Sequence, residues 1–508
     1  MNWSKNFKIG VTNTMTNYTP IVFLHNLKKQ NGGLHKAIYH RVNLLSEKYE
    51  RVIIFTFGFD IEFKELCEYH KRIGNINPNI EIINIYEQRK ENNKMKLFKK
   101  NNNHTYIKDE KNHNSYRVFN NKGEYEFYVR LRDNGAPQFK DFFKTPWNRY
   151  MKEIYDKYGN LRKRIFMDSD NKPSYSVIFS TEENPMVSSV LNKVDYSTNN
   201  FFNFSLERQF DNDIQMAVEC LKELLKGIDF PLLFIDKREY VKYFNNISGD
   251  NITKVFTLHS NHLDYPYNDI EIFSPSVSDL FSALRENMID NLIVLTNNQK
   301  KDIQMIEKID ERITVIPHYQ PKILSEVLDK KDNLIVTLAR YHNAKNLNAA
   351  IKVIEKVKKT IPDIKFCIYG YGPQEQMLKN LIEELNLTEN IFLMGHTNNP
   401  LEKVKEAKLS LMTSNYEGFN LAIAEAMACS TPVVSYNTKY GPGDLIRNGI
   451  DGFLVEDINQ AAEKVIEILK LSESEYKKLQ EKALEVTDRF SEHKINKLWL
   501  DFIESLTK

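Results

Sequence analysis

Short continuous apolar runs separated by segments of helical period occupy both ends of this chain, while its middle alternates. Runs at 334–338, 365–369, 391–393, 409–412 and 432–435 are predominantly apolar, with helical spacing between them. Strands of that kind are buried on both faces, so this part predicts a parallel sheet covered by helices. Near the N-terminus, 7–11 reads as a strand. Gly32 and Gly33 open a helix carrying Leu34, Ala37, Ile38, Leu44 and Leu45, and 51–57 reads as the next strand. The α/β pattern resumes after 205, with helical spacing over 207–225 and strands at 231–236, 254–260, 292–295 and 313–316. The final segment, 486–508, places Phe490, Ile495, Leu498, Trp499, Phe502 and Ile503 on one face of an amphipathic helix.

Between about 105 and 200 the pattern is that of an antiparallel sheet. The stretch 124–132 partly alternates and is rich in aromatic and β-branched residues, and 165–166 and 175–180 read as further strands. Residues 116–123 resemble 152–159, each a strand, a polar turn and a glycine, as hairpin modules require. Such a block does not belong within a parallel sheet and is read as an insertion. A run over 89–100 with Arg89, Lys90, Lys94, Lys96, Lys99 and Lys100 against Glu91 predicts an exposed boundary loop. Residues 139–164 hold eight Lys or Arg and three Asp or Glu among Phe142, Phe143, Trp147, Tyr150, Tyr155 and Tyr158. That mixture suits a long anionic partner, and equally a solvated β surface or a subunit interface.

The chain has 508 residues, too many for one core and enough for two or three domains. Its net charge of +2 names no partner and gives no sign of nucleic acid binding. The four cysteines are far apart, with neither metal spacing nor a disulfide framework. The first residues lack the apolar stretch of a signal peptide, and no run approaches the ~20 apolar residues that span a bilayer. A cytoplasmic protein is expected, with proximity to the inner membrane face through partners.

The chemistry concentrates at 413–428. Glu417 precedes a turn containing Gly418, and Glu425 lies one turn inside the helix predicted over 421–429. Amides at a helix N-terminus attract anions, Gly418 admits close approach of a ligand, and a carboxylate on each side can accept sugar hydroxyls. Phosphate plus hydroxyls describes a nucleotide sugar. Taken alone, the stretch fits equally a strand, turn and helix with two solvated glutamates. His259 stands at the C-terminal end of a predicted strand, at the rim where α/β sheets bind ligands. A lone histidine there is more often structural, and His262 is a neighbouring alternative.

The flanking motifs resemble those of retaining GT-B glycosyltransferases with a Glu-x7-Glu motif. Glu417 and Glu425 have that spacing. Arg340 and Lys345 match the family's Arg-x4-Lys after a strand, and 440–444 and 449–455 match its last two loops. The resemblance covers about 310–508 well and the rest more loosely. The β-rich block resembles the insertion of teichoic acid α-glycosyltransferases and of glycosyltransferases acting on serine-rich adhesins.

The resemblance implies an α/β GT-B fold of two Rossmann-like domains facing a cleft. Residues 1–88 and 205–325 would form the first domain, with 89–204 inserted for oligomerisation or acceptor binding. Residues 326–485 would bind the nucleotide sugar, and 486–508 would cross back to the first domain. It also implies a UDP-sugar donor, glucose or N-acetylglucosamine, and no metal, with Arg340, Lys345 and helix amides facing the diphosphate. Glu425 would take the ribose and Glu417 the donor sugar, which His259 would orient. Gly418, Phe419, Asn420 and Leu421 would hold sugar and diphosphate, His396 would meet the base, and Gly32 and Gly33 would line the cleft. The acceptor would be an anionic polyol-phosphate polymer, and the assembly a homotrimer. Asn420 departs from the family's Glu-Gly-Phe-Gly and leaves the sugar open. The alternatives are transfer to Ser or Thr of an adhesin and a non-catalytic glycan-binding or chaperone subunit. The presence of Arg340, Lys345, Glu417 and Glu425 argues against the last.

Overall fold

The computed structural model describes residues 18–29, 32–87, 94–192, 194–307, 310–323 and 327–506. The strand expected at 7–11 lies outside them. The chain divides into two compact units, 1–234 with 243–253, and 235–242 with 254–508.

The first unit opens with β1 (Tyr18–Leu24), α1 (Gly33–Ser46), β2 (Ile53–Thr56), α2 (Phe63–Arg72) and β3 (Glu81–Asn84). These strands pair in parallel and in chain order. Ile21, Val22, Ile53 and Ile54 are fully buried, as expected of strands covered on both faces.

Ten strands follow in an antiparallel meander: β4 (Thr105–Lys108), β5 (Ser115–Phe119), β6 (Tyr125–Leu131), β7 (Pro137–Thr145), β8 (Asn148–Tyr155), β9 (Leu161–Met167), β10 (Pro173–Phe179), β11 (Pro185–Leu191), β12 (Thr198–Asn203) and β13 (Arg208–Phe210). Five of their turns share one geometry and fall on a twelve-residue period with one step, at 144, skipped, beginning at Asn120, Arg132, Asp156, Asp168 and Ser180. In each, the fourth residue donates its amide to the carbonyl of the first, and the first donates to the carbonyl of the fifth. The fourth residue is left-handed: Gly123, Gly135, Gly159, Asn171 and Glu183, with φ between 62° and 83°. This is the three-residue hairpin whose last residue needs positive φ, which favours Gly or Asn and is met by them at four of the five turns, with Glu183 at the fifth. The two similar sequence segments stand 36 residues apart, three steps of this period.

One expectation changes here. The helix expected over 207–225 begins only at Asp213: α3 spans Asp213–Leu225, capped by the Asn212 side chain on Gln215 N. Its expected first turn is instead β13, because Phe210 pairs with Phe201 and both join a core with Tyr86, Ile178 and Val187. Residues 94–100 form the expected loop, mostly exposed, and lie along the hairpin turns: Lys96 N donates to Tyr158 O, Phe98 N donates to Gly135 O, and Lys96 Nζ meets Glu183 at 2.6 Å. Of the cations of 139–164, many are engaged within their own unit. Lys152 lies over the Phe139 ring at 4.3 Å, Arg149 pairs with Asp141, Arg164 pairs with Glu153, and buried Arg162 pairs with Glu87. Trp147, at the turn between β7 and β8, is 90 % exposed.

After β14 (Phe230–Ile235) and α4 (Val241–Phe244), the second unit contains β15 (Thr253–Leu258), α5 (Pro275–Arg285), β16 (Asn291–Val294), α6 (Asn297–Ile306) and β17 (Ile313–Val315), with the strands parallel. It continues with β18 (Lys331–Leu338), α7 (Leu347–Lys358), β19 (Lys365–Tyr369), α8 (Glu375–Glu384), β20 (Ile391–Gly395), α9 (Pro400–Glu406), β21 (Ala407–Met412), α10 (Leu421–Ala428), β22 (Val433–Tyr436), α11 (Pro442–Leu445) and β23 (Gly452–Val455). The chain closes with α12 (Ile458–Leu469), α13 (Glu473–Leu484), α14 (Val486–Arg489) and α15 (Glu492–Ser505). The expected single final helix is therefore broken at Phe490 and Ser491. Among the described residues no helix is long and apolar enough to cross a membrane.

The sheet of β18–β23 is parallel, in the order β20-β19-β18-β21-β22-β23. Chain order reverses between β18 and β21, and ligands of such sheets bind beyond the strand ends at that reversal.

Candidate active site

The two strands flanking the reversal, β18 and β21, deliver the side chains singled out by sequence. Arg340 follows β18 and is exposed. Lys345 ends the short 3-10 turn Asn343–Lys345. Glu417 follows β21, and Lys345 Nζ meets its Oε1 at 2.5 Å. Ser414 Oγ donates to the same oxygen over 2.7 Å. The Glu417 side chain is 11 % exposed and that of Lys345 22 %, so the pair is partly desolvated.

Gly418 comes next, and its backbone lies against the end of β15. A Cβ there would be 2.1 Å from His259 O, which accounts for glycine without any special φ. His259 Nε2 donates to Asp236 Oδ1 over 2.7 Å; the carboxylate only accepts, which fixes the imidazole's orientation. The His259 ring stacks on His318, 5.5 Å between centroids at 7°, and His318 meets Phe419 edge-on. Phe419 is buried and in turn packs on Phe490.

Asn420 has φ 68° and ψ 71° and caps α10, its side chain accepting from Ile423 N. The position demands a left-handed backbone, which glycine or asparagine supplies. The departure from the family's glycine is thus compatible with the same loop, and the carbonyl of the added side chain serves the helix. Leu421 begins α10, and Glu425 lies one turn further, half-buried.

The loops after β18, β19 and β20 also meet. Tyr341 N donates to Tyr371 O, Gly370 N donates to Gly395 O, and the exposed His396 ring lies 6.0 Å from that of Tyr371. Cβ atoms at Gly370 and Gly372 would overlap Ala339 O and Tyr341 O. Gly32 and Gly33 belong to the other unit. Gly32 is the N-cap of α1 at φ −74°, and a Cβ there would meet nothing within 4 Å.

His262 has a different environment from His259. It is fully buried, stacks on Tyr440 at 5.4 Å, and contacts Phe273 and Phe281. Burial lowers its pKa to about 3. Between pH ~6.5, the ordinary value, and pH 3 the unfolded chain binds a proton that the fold refuses, so stability declines as pH falls through that window. Measured by urea unfolding, His262→Phe is expected to flatten this dependence; an unchanged slope would contradict the assignment.

Sequence reasoning did not select Asp236, His318 or Ser414 as site residues. Asp236 follows a buried strand as His259 does, so the strand-end argument reaches it. His318 carries no comparable pattern.

Residues 321–486 match the family Glycosyl transferases group 1. The whole chain is 25 % identical over 502 residues to a poly(ribitol-phosphate) alpha-N-acetylglucosaminyltransferase of Staphylococcus aureus (strain COL), covering 95 % of this chain and 99 % of that protein. It is 25 % identical over 490 residues to a poly(glycerol-phosphate) alpha-glucosyltransferase of Bacillus subtilis (strain 168), covering 92 % of this chain and 72 % of that one. Among solved structures, it resembles a mutant of S. aureus TarM in complex with fondaparinux, alpha-GlcNAc-glycerol and UDP. That match has a TM-score of 0.78 at 24 % identity and covers 96 % of this chain and 99 % of that one. The fold is GT-B, with the ten-stranded antiparallel sheet inserted between β3 and α3.

Proposed function

We propose that this chain is a retaining α-glycosyltransferase that moves glucose or N-acetylglucosamine from a UDP-sugar to hydroxyls of a wall teichoic acid, poly(glycerol phosphate) or poly(ribitol phosphate). The observation that carries the reading is similarity over 95 % of the chain to an enzyme with a polyol-phosphate acceptor, rather than over the nucleotide-sugar domain alone. The partly buried Lys345–Glu417 pair at the sheet's reversal supports the chemistry.

Negative charge grows on the departing diphosphate, and preorganised cations counter it. Arg340 offers a fork for phosphate and Lys345 a point charge, in place of a metal. Glu425 accepts from the ribose and Glu417 from the donor sugar. His259, oriented by Asp236, directs the sugar. The acceptor hydroxyl attacks the face the diphosphate leaves, and the departing phosphate oxygen takes its proton, through an oxocarbenium-like transition state. His396 meets the base in this reading, and Gly32 and Gly33 are proposed to take part in binding from their own unit. A cytoplasmic homotrimer built on the β-rich insertion, acting near the inner membrane face, is part of the same proposal.

The test is incubation with UDP-glucose or UDP-N-acetylglucosamine and each polymer, followed by NMR of the product. An α-linked hexose on the polyol is expected. Unmodified polymer with both donors, or a β-linkage, would refute the reading.

A further inference from the structure

The loop carrying Glu417 is bound along its main chain to a second loop, and one aspartate anchors that second loop. Residues 415–419 are zipped to 438–441 at successive points. Thr438 Oγ1 donates to Asn415 O. Glu417 N donates to Lys439 O over 3.1 Å, and Tyr440 N donates to Glu417 O over 2.9 Å. Gly441, at φ 104°, lies so close to Phe419 O that a Cβ would come within 2.1 Å. Both main-chain groups of Glu417 are therefore committed to one neighbouring segment, and a shift of that segment carries Glu417 with it.

On its other side the segment meets α6. Asp302 Oδ2 accepts from Lys439 Nζ and from Tyr440 Oη, each at 2.6 Å. The Asp302 side chain is 15 % exposed, and Tyr440 is buried with its ring on His262. Asn261 Nδ2 adds a bond to Lys439 O over 2.9 Å, and Asn298 Nδ2 reaches Asp444 over 3.3 Å. A charge-assisted bond and a second donor on one carboxylate oxygen make Asp302 the strongest of these anchors.

We propose that Asp302 is a positioning residue for Glu417, fixing the 438–441 segment on which the main chain of Glu417 is hung. The proposal rests on the glycosyltransferase reading above. Asp302 touches neither donor nor acceptor in that reading; its effect passes through Lys439 and Tyr440. Misplacement of a reacting group by about 1 Å can cost about 10²-fold in rate. Loss of Asp302 therefore acts on kcat, while UDP affinity, which depends on the nucleotide end of the donor, stays near wild type.

The experiment measures UDP release with UDP-glucose or UDP-N-acetylglucosamine on poly(glycerol phosphate) or poly(ribitol phosphate), UDP affinity by calorimetry, and Tm. Asp302→Ala is expected to lower kcat by about 10–100-fold, with UDP Kd within about twofold. Asp302→Asn, which keeps an acceptor for Tyr440, recovers much of the rate. Tyr440→Phe serves as a second, milder variant and shifts kcat in the same direction by a few-fold. A folded Asp302→Ala or Tyr440→Phe with wild-type kcat, whatever its Tm, overturns the proposal alone. A wild-type chain that releases no UDP with any pair overturns the glycosyltransferase reading and this proposal with it.

Discussion

Glu417→Gln is expected to lower turnover by about 10²–10³-fold with the fold retained. One oxygen of Glu417 accepts from both Lys345 and Ser414, at 2.5 and 2.7 Å. The amide keeps the shape and one acceptor but removes the charge. Lys345 then lacks its counterion in a partly desolvated place, and the donor sugar loses an ionised acceptor. Because Lys345 is 22 % exposed, water relieves part of the imbalance, and the stability cost should be about 1 kcal/mol. Steady-state UDP release and urea unfolding check the two parts. Wild-type turnover in a folded variant would remove Glu417 from the reacting centre.

Gly418→Ala should be as damaging for a steric reason. Its Cβ would lie 2.1 Å from His259 O, 2.7 Å from His259 C and 2.7 Å from Ser260 Cα. All three are backbone atoms, so no side chain can swing aside. Either the loop leaves β15, taking Glu417 away from His259, or β15 bends. We expect a loss of about 1–3 kcal/mol in stability and at least about 10²-fold in turnover. Gly32→Ala is the internal comparison, since its Cβ meets nothing within 4 Å, and should cost no more than about 1 kcal/mol. Equal effects of the two changes on thermal unfolding would contradict the close approach at Gly418.

The parts of the fold that could be read from the chain were those with a single dominant period. The strands of the sheet β18–β23 are short, largely apolar runs because helices cover both faces, and β18 to β22 fall where those runs lie. The start of α3 was misplaced because the spacing over 207–212 fits a helix as well as a strand, and only the long-range pairing of Phe210 with Phe201 decides. The twelve-residue period surfaced as one matched pair of segments. Its turn positions are filled by chemically different residues, Asn120, Arg132, Asp156, Asp168 and Ser180, that satisfy one backbone geometry. The basic, aromatic composition of 139–164 could not show that Lys152, Arg149, Arg162 and Arg164 are engaged within their own unit.

The candidate site divides in the same way. Glu417 and Lys345 were legible because their spacing after a strand is a local pattern. Their ion pair joins positions 72 residues apart, and its geometry is not local. Asp236 and His318 act by holding or stacking on His259, and Asp302 by holding a loop that holds another. Such roles arise from tertiary contact and leave no periodic trace. At Asn420 the sequence raised a question about sugar choice; the backbone adds a conformational reason for asparagine, since positive φ and a helix cap are both required there.

The most direct test of the central claim is UDP release by the full chain with UDP-glucose and with UDP-N-acetylglucosamine, each offered poly(glycerol phosphate), poly(ribitol phosphate), a serine-rich peptide or no acceptor. Glu417→Gln serves as the control. Release that depends on a polyol-phosphate polymer, with one donor, and falls in the control is the predicted result. Release only with peptide, or none with any acceptor, would contradict it.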